Sequence, residues 1–233
     1  MSAARQAGLA DACPLSRGDH VLELGVGKGA FLVALLGRWP GATAEGFDRN
    51  PWFLAEARAA AVEAGREIDA RVSFVETDAP GVMFADRSTA LTVAMGATGI
   101  LGDQARTVAS LAAATHPGGM VLFADGFWSR LPPSDGLAAF GMTLDELADG
   151  VDGFAALGAE AGLAVEAVDV VDVPEWDDYE GSYAAAAQRW AAANPDDPER
   201  DAFLDRAALM RSSYADWRRD AFGYAVARFR VPA

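Results

Sequence analysis

Short apolar runs alternate with helix-patterned segments along the first half of the chain. Residues 3–12 read as a short helix. The apolar run 21–24 reads as a first strand, and 30–38 carries the period of a helix behind it. Residues 43–47 form a second short strand ending at Asp48. Residues 51–64 form a helix, with Pro51 suited to its first turn and Gly65 to its end. Strands follow at 72–76 and 91–95, then a helix at 105–115. The turn Pro117-Gly118-Gly119 precedes a fifth strand at 120–124. Strands alternating with helices at this spacing predict an α/β fold built on a doubly wound, mostly parallel sheet.

The second half changes character. Residues 137–140 and 144–149 read as short helical pieces, and 151–161 as a helix closed by Gly162. Residues 164–173 are β-branched and alternating, which predicts a sixth strand. A long segment, 174–220, then carries helices near 181–193 and 199–219, separated by Asn194-Pro195-Asp196-Asp197-Pro198. Residues 222–231 alternate again and give a seventh strand, reached by a long return that suits an antiparallel course. The expected architecture is a single domain over 1–233 with a seven-stranded sheet. Residues 174–220 form a helical insertion between its last two strands, expected to act as a lid.

Composition narrows the function. The chain has 233 residues and is 52% hydrophobic, enough for a sizeable core and too apolar for disorder. Cys13 is its one cysteine, so no internal disulfide and no cysteine-rich metal site can form. The two histidines, His20 and His116, leave little room for a histidine metal site or a Ser-His-Asp triad. No metal is expected. A net charge of −15 repels phosphate backbones, which argues against nucleic-acid substrates. No run has the length of a membrane helix, and the first residues lack a cleavable signal pattern. A cytoplasmic protein with no membrane partner is the expectation.

The densest chemistry lies at Glu23-x-Gly25-x-Gly27-x-Gly29, between the first strand and its helix. Glycines let the backbone turn sharply and come close to a ligand. Strand, loop and helix together form a nucleotide-binding corner. Read as Gly25-x-Gly27-x-x-Ala30, the loop also fits the dinucleotide fingerprint. It therefore does not choose between NAD(P) and S-adenosylmethionine. Asp48 ends the second strand, where a carboxylate can accept both ribose hydroxyls. Arg49 beside it suits a 2′-phosphate. Asp78, after Thr77 at the end of the third strand, can accept a hydrogen bond from an adenine amine.

The order of Glu23, the three glycines, Asp48, Thr77-Asp78 and Pro117-Gly118-Gly119 resembles class I S-adenosylmethionine-dependent methyltransferases over roughly residues 15–130. The resemblance implies a Rossmann-like methyltransferase fold with S-adenosyl-L-methionine as cofactor. It implies that Gly25, Gly27 and Gly29 lie against the methionine part, that Asp48 meets the ribose, and that Thr77 and Asp78 meet the adenine. Glu23 and Arg49, beside these, join them as cofactor-binding candidates. Met95-Gly96 would lie near the sulfonium. A narrower resemblance carries further. Residues 48–58, Asp125-Gly126-Phe127-Trp128 and Glu175-Trp176-Asp177-Asp178-Tyr179-Glu180 are similar to a group of largely uncharacterised bacterial small methyltransferases. That group often has a histidine after the fourth strand. Here residues 96–103 hold none, so a histidine base at that place is excluded.

The expected reaction is methyl transfer to a small-molecule acceptor by in-line displacement, in which alignment and water exclusion do most of the work. Thr98, Trp128, Trp176, Tyr179 and Tyr183 are the candidate substrate wall. Tyr179, Tyr183 and Trp190 share a helix face by spacing. Trp128, Trp176 and Tyr179 are placed in loops. Asp125, Tyr179 and Glu180 are the candidate bases. Two alternatives remain: an NAD(P)-dependent oxidoreductase, and a non-methylating protein of the same fold. Amino-group methylation of RNA or protein is disfavoured, because no Asn-Pro-Pro-aromatic segment follows the fourth strand.

Overall fold

A computed structural model describes residues 1–78 and 88–233. Its centre is one mixed sheet. The strands are β1 (His20–Leu24), β2 (Thr43–Asp48), β3 (Val72–Glu76), β4 (Thr89–Met95), β5 (Thr115–Trp128), β6 (Ala148–Asp149), β7 (Ala164–Val170) and β8 (Phe222–Arg230). Their order is β3-β2-β1-β4-β5-β8-β7, with β6 paired to β5 off that path. β1 to β5 run parallel, and β8 enters antiparallel between β5 and β7.

The strands read as apolar because both faces of the sheet are covered. Alternate residues serve opposite sides. Leu122 and Ala124 of β5 join one cluster with Leu91, Val93 and Val226. Val121 and Phe123 join the other with Ala94, Ala225 and Phe229. Helices α1 (Ala3–Ala12), α2 (Ala30–Arg38) and α3 (Pro51–Ala64) pack on the first side, where α2 buries Phe31, Leu32, Leu35 and Leu36. Helices α5 (Gln104–Ala114) and α7 (Gly150–Glu160) pack on the second. Two minor helices, α4 (Arg66–Asp69) and α6 (Ser134–Ala139), lie in connections. Asn50 accepts from Trp52 N and Phe53 N at the start of α3, and Pro51 fills its first turn as expected.

Four local expectations change. β5 extends through both ends of the predicted strand. The Pro117-Gly118-Gly119 turn becomes an irregularity within it, where pairing with β4 jumps from Thr89↔Thr115 to Leu91↔Met120. Past the end of β4, Phe127 and Trp128 still have an open edge. Ala148 and Asp149 pair there, so 144–149 is a 3-10 turn (Leu144–Glu146) followed by β6, a two-residue strand added beside the expected seven. β7 stops at Val170. Asp172 then accepts from Glu175 N and starts helix α8 (Val173–Ala193), with Pro174 in its first turn. The insertion is therefore helical from its outset, and Trp176, Tyr179 and Glu180 are helix residues. Finally, α9 (Arg200–Ser213) ends in a π-helical turn at Tyr214–Arg218, followed by α10 (Arg219–Ala221).

Gly158 of α7 lies flat on β8: a Cβ there would sit 2.3 Å from the Phe229 ring. Phe229 is fully buried and has nowhere to move. Gly158→Val should cost about 1–3 kcal/mol of stability through overpacking. Urea denaturation would show it as a lower midpoint at an unchanged slope.

Candidate active site

β1 delivers the chain into the glycine loop. Gly25, Gly27 and Gly29 have φ values of 67°, 54° and 72°, in the left-handed region. A Cβ on Gly25 would lie 2.5 Å from that of Ala97, and one on Gly29 would lie 2.9 Å from that of Ala57. At Gly27 a Cβ would meet nothing within 4 Å, because this backbone faces open space. The loop is fixed to the end of β2. Val26 N donates to Phe47 O at 2.9 Å, and Gly27 N donates to Asp48 Oδ2 at 2.8 Å. Asn50 N donates to Asp48 Oδ1 at 2.9 Å. Each Asp48 oxygen therefore has one backbone partner and further acceptor capacity to spare.

Two cavities meet at this loop. The first, about 560 Å³, is lined by Asp48, Arg49, Phe53, Thr77, Asp78 and the turn after β4. The second, about 570 Å³, is walled by Glu23, Phe31, Met95, Trp176, Tyr179 and Tyr224, with Met1 and Gln6 from the N-terminal segment. Gly25, Gly27 and Gly96 line both. The joint site lies at the carboxyl ends of β1, β2 and β4, where the strand order reverses, the usual ligand position in such sheets.

Electrostatics single out Glu23. It is buried, and its Oε2 has no hydrogen-bond partner among the described residues. Burial, helped by the Asp48 charge, pushes it well above the usual carboxylate range. Asp125 is also raised by burial, opposed by hydrogen bonds from Thr98 Oγ1 and Gly126 N. Burial raises Glu180 despite its ion pair with Arg218 at 3.0 Å. Tyr179 is raised by burial, with Glu180 adding to it.

The structure gathers most of the expected residues. Glu23, Gly25, Gly27, Met95, Gly96, Trp176 and Tyr179 line the second cavity; Asp48, Arg49, Thr77 and Asp78 line the first. Gly29 supports the loop from beneath as the first cap of α2. The remaining expected residues sit elsewhere. Trp128 is buried within β5, tilted against Trp217 and edge-on to Phe222, with Nε1 donating to Leu144 O. Thr98 is turned to Asp125. Neither they nor Tyr183, Asp125 and Glu180 line either cavity. Tyr224 and Phe31 were not anticipated. Tyr224 alternates with Phe222 in the last strand, and only the insertion of β8 beside β5 brings it to the loop.

These residues fit an adenosine-bearing cofactor. Asp48 has acceptor capacity for a diol, Glu23 holds an unpartnered buried carboxylate, and Gly27 leaves the space a side chain would fill. Comparison with known proteins decides which cofactor. A methyltransferase-domain profile matches residues 21–119. Escherichia coli K12 "Uncharacterized protein YjhP" is 31% identical over 90% of this chain and 83% of its own. The chain belongs to the S-adenosylmethionine-dependent methyltransferases. Its fold matches the YjhP crystal structure (TM-score 0.88, 27% identity, 98% and 92% of the two chains). Similar methyltransferases from Geobacter sulfurreducens (TM-score 0.88, 26% identity) and Thiobacillus denitrificans (TM-score 0.86, 26% identity) were each solved with S-adenosylhomocysteine, the match covering 98% of this chain and 91% of theirs. S-adenosylmethionine is thus the cofactor of this methyltransferase, and no NAD(P) chemistry is needed.

Two outcomes test the geometry. Asp48→Ala should weaken S-adenosylhomocysteine binding by about tenfold or more in calorimetry, since it removes a charged acceptor and loosens the loop. Unchanged affinity removes Asp48 from the ligand. Glu23 carries a folded-state pKa above its unfolded value of about 4.3, so its contribution to stability is complete below that pH and is lost as pH rises. Glu23→Gln should therefore flatten the decline of melting temperature from mildly acidic to neutral pH. Parallel curves for the two proteins would contradict this.

Proposed function

We propose that the enzyme methylates a small molecule, with the adenosine of the cofactor and the methyl acceptor in separate lobes. The single supporting observation is the meeting of the two cavities at Gly25, Gly27 and Gly96. The Asp48–Asp78 lobe has the acceptors that ribose and adenine require. The glycine-loop side of the other lobe takes the methionine part, and its Trp176–Tyr224 side is left for the methyl acceptor. The cofactor supplies an activated methyl group on a sulfonium, so the protein needs no covalent nucleophile and no metal. Its own residues hold the two molecules in line and keep water out.

The candidate bases support this economy. Asp125 is engaged by Thr98 and Gly126, and Glu180 by Arg218. Tyr179 stays protonated at neutral pH, being raised by burial and the Glu180 charge. The roof of the acceptor lobe is the start of α8. Glu175 binds Arg5 Nε at 2.7 Å and Ser2 N at 2.8 Å, and Asp177 binds Arg219 and Tyr214. Arg219, then Tyr214, hold Asp177 down to about 2, so this clasp persists across physiological pH. Residues 174–220 serve as the lid in this reading. A net charge of −15 opposes nucleic acid as the acceptor.

Calorimetry with S-adenosylhomocysteine, NAD and NADP tests the proposal. Binding of the first alone is expected. Binding of a nicotinamide dinucleotide without S-adenosylhomocysteine would overturn it.

A further inference from the structure

We propose that the active site has a gate: the start of α1 swings away from the roof to admit and release ligands, and Glu175 is the catch that shuts it. This rests on the two-lobe reading above and names how the Trp176–Tyr224 lobe is opened.

α1 is held unevenly. Its second half is anchored. Leu9 and Ala10 are buried in the first core cluster, Trp39 Nε1 donates to Ala10 O at 2.8 Å, and Arg228 Nη1 donates to Ala12 O at 3.3 Å. Asp11 pairs with Arg38. The first half has less to hold it. Among the described residues, the hydrogen bonds that join residues 1–8 to another element both end on Glu175. Ser2 N donates to its Oε1 at 2.8 Å, and Arg5 Nε donates to its Oε2 at 2.7 Å. Met1 adds an apolar contact, partly buried against the core. A cavity of about 370 Å³ lies beside this half, between Ser2, Arg5, Gly8 and Asp169, so close packing does not fix it there.

The roof across the seam is firm. Asp177 of α8 binds Arg219 and Tyr214, and Trp176 stacks on Phe222 and Tyr224 of β8. Further along α8, Glu180 and Arg218 form a buried ion pair, their side chains 7% and 9% exposed. The Arg5 and Glu175 side chains are 22% and 18% exposed. Water reaches that pair more readily and weakens it, so it is the one that gives way.

The seam borders the reacting end of the site. Met1 and Gln6 on one side, and Glu175 and Trp176 on the other, line the lobe that holds Gly25 and Gly27. With the start of α1 in place, the lobe for the methionine part and the acceptor is walled in. With it swung out, both molecules can pass. Closure then keeps water away from the transfer.

Stopped-flow mixing with S-adenosylhomocysteine tests the gate, read on tryptophan emission with Trp176 in the lobe wall. Arg5→Ala and Glu175→Ala should each speed association and dissociation together, about fivefold, with the dissociation constant kept within about twofold. The double variant should be no faster than the faster single one, because both substitutions remove the same catch. A residue that merely touched the ligand would change dissociation and affinity and leave association alone. Arg5→Cys with Glu175→Cys, bridged by a short bis-maleimide, should exchange the ligand about tenfold or more slowly than the same protein unbridged. Cys13 is 1% exposed and escapes the reagent. Unchanged rates in the single variants, a change in dissociation alone, or equal exchange with and without the bridge overturns the proposal. Absence of S-adenosylhomocysteine binding by the unsubstituted protein would overturn the two-lobe reading, and the gate with it.

Discussion

The hydrogen bond from Gly27 N to Asp48 Oδ2 underlies the whole site. It joins the loop after β1 to the end of β2, two strands that are already neighbours. The same carboxylate takes Asn50 N, and the Asn50 side chain then starts α3. A single aspartate thus sets the loop, the strand end and the helix start before any ligand arrives. Glycine at three positions makes this possible, because the loop must stay in left-handed backbone while packed against Ala97 on one side and Ala57 on the other. A site formed in advance spends little binding energy on ordering its own loop.

The half of the molecule that follows is built differently. β8 enters antiparallel between β5 and β7 and carries Tyr224 to the glycine loop. α8 begins abruptly at Asp172 and lays Trp176 and Tyr179 over the cavity. The Asp48–Asp78 cavity therefore rests on backbone geometry and one carboxylate. The Trp176–Tyr224 cavity rests on side-chain rings whose placement comes from distant strand pairing.

This division explains what the sequence revealed. The Asp48–Asp78 cavity was legible because Gly25, Gly27, Asp48 and Asp78 are tied to local strand-loop-helix order, which the alternation of strands and helices predicts. The Trp176–Tyr224 cavity was less so. Trp128 reads as a loop residue after a short strand, but β5 continues through it and β6 covers its edge. Trp176 and Tyr179 seemed to be in a loop because Pro174 and the acidic residues around them obscure a helical pattern. Tyr224 offered only the alternation of a strand, and alternation does not say which neighbour that strand will find. Glu180 was available as a base on chemistry alone, and only the π-helical turn after α9 shows that Arg218 occupies it.

The contact between Glu175 and Arg5 spans 170 positions of sequence. Contacts of such separation close late, because the entropy of bringing the ends together is charged before any reward. The nucleotide grip, by contrast, is assembled from segments between Glu23 and Gly96. Ordering the cover over the Trp176–Tyr224 cavity therefore carries a larger loop-closure entropy than ordering the glycine loop against Asp48.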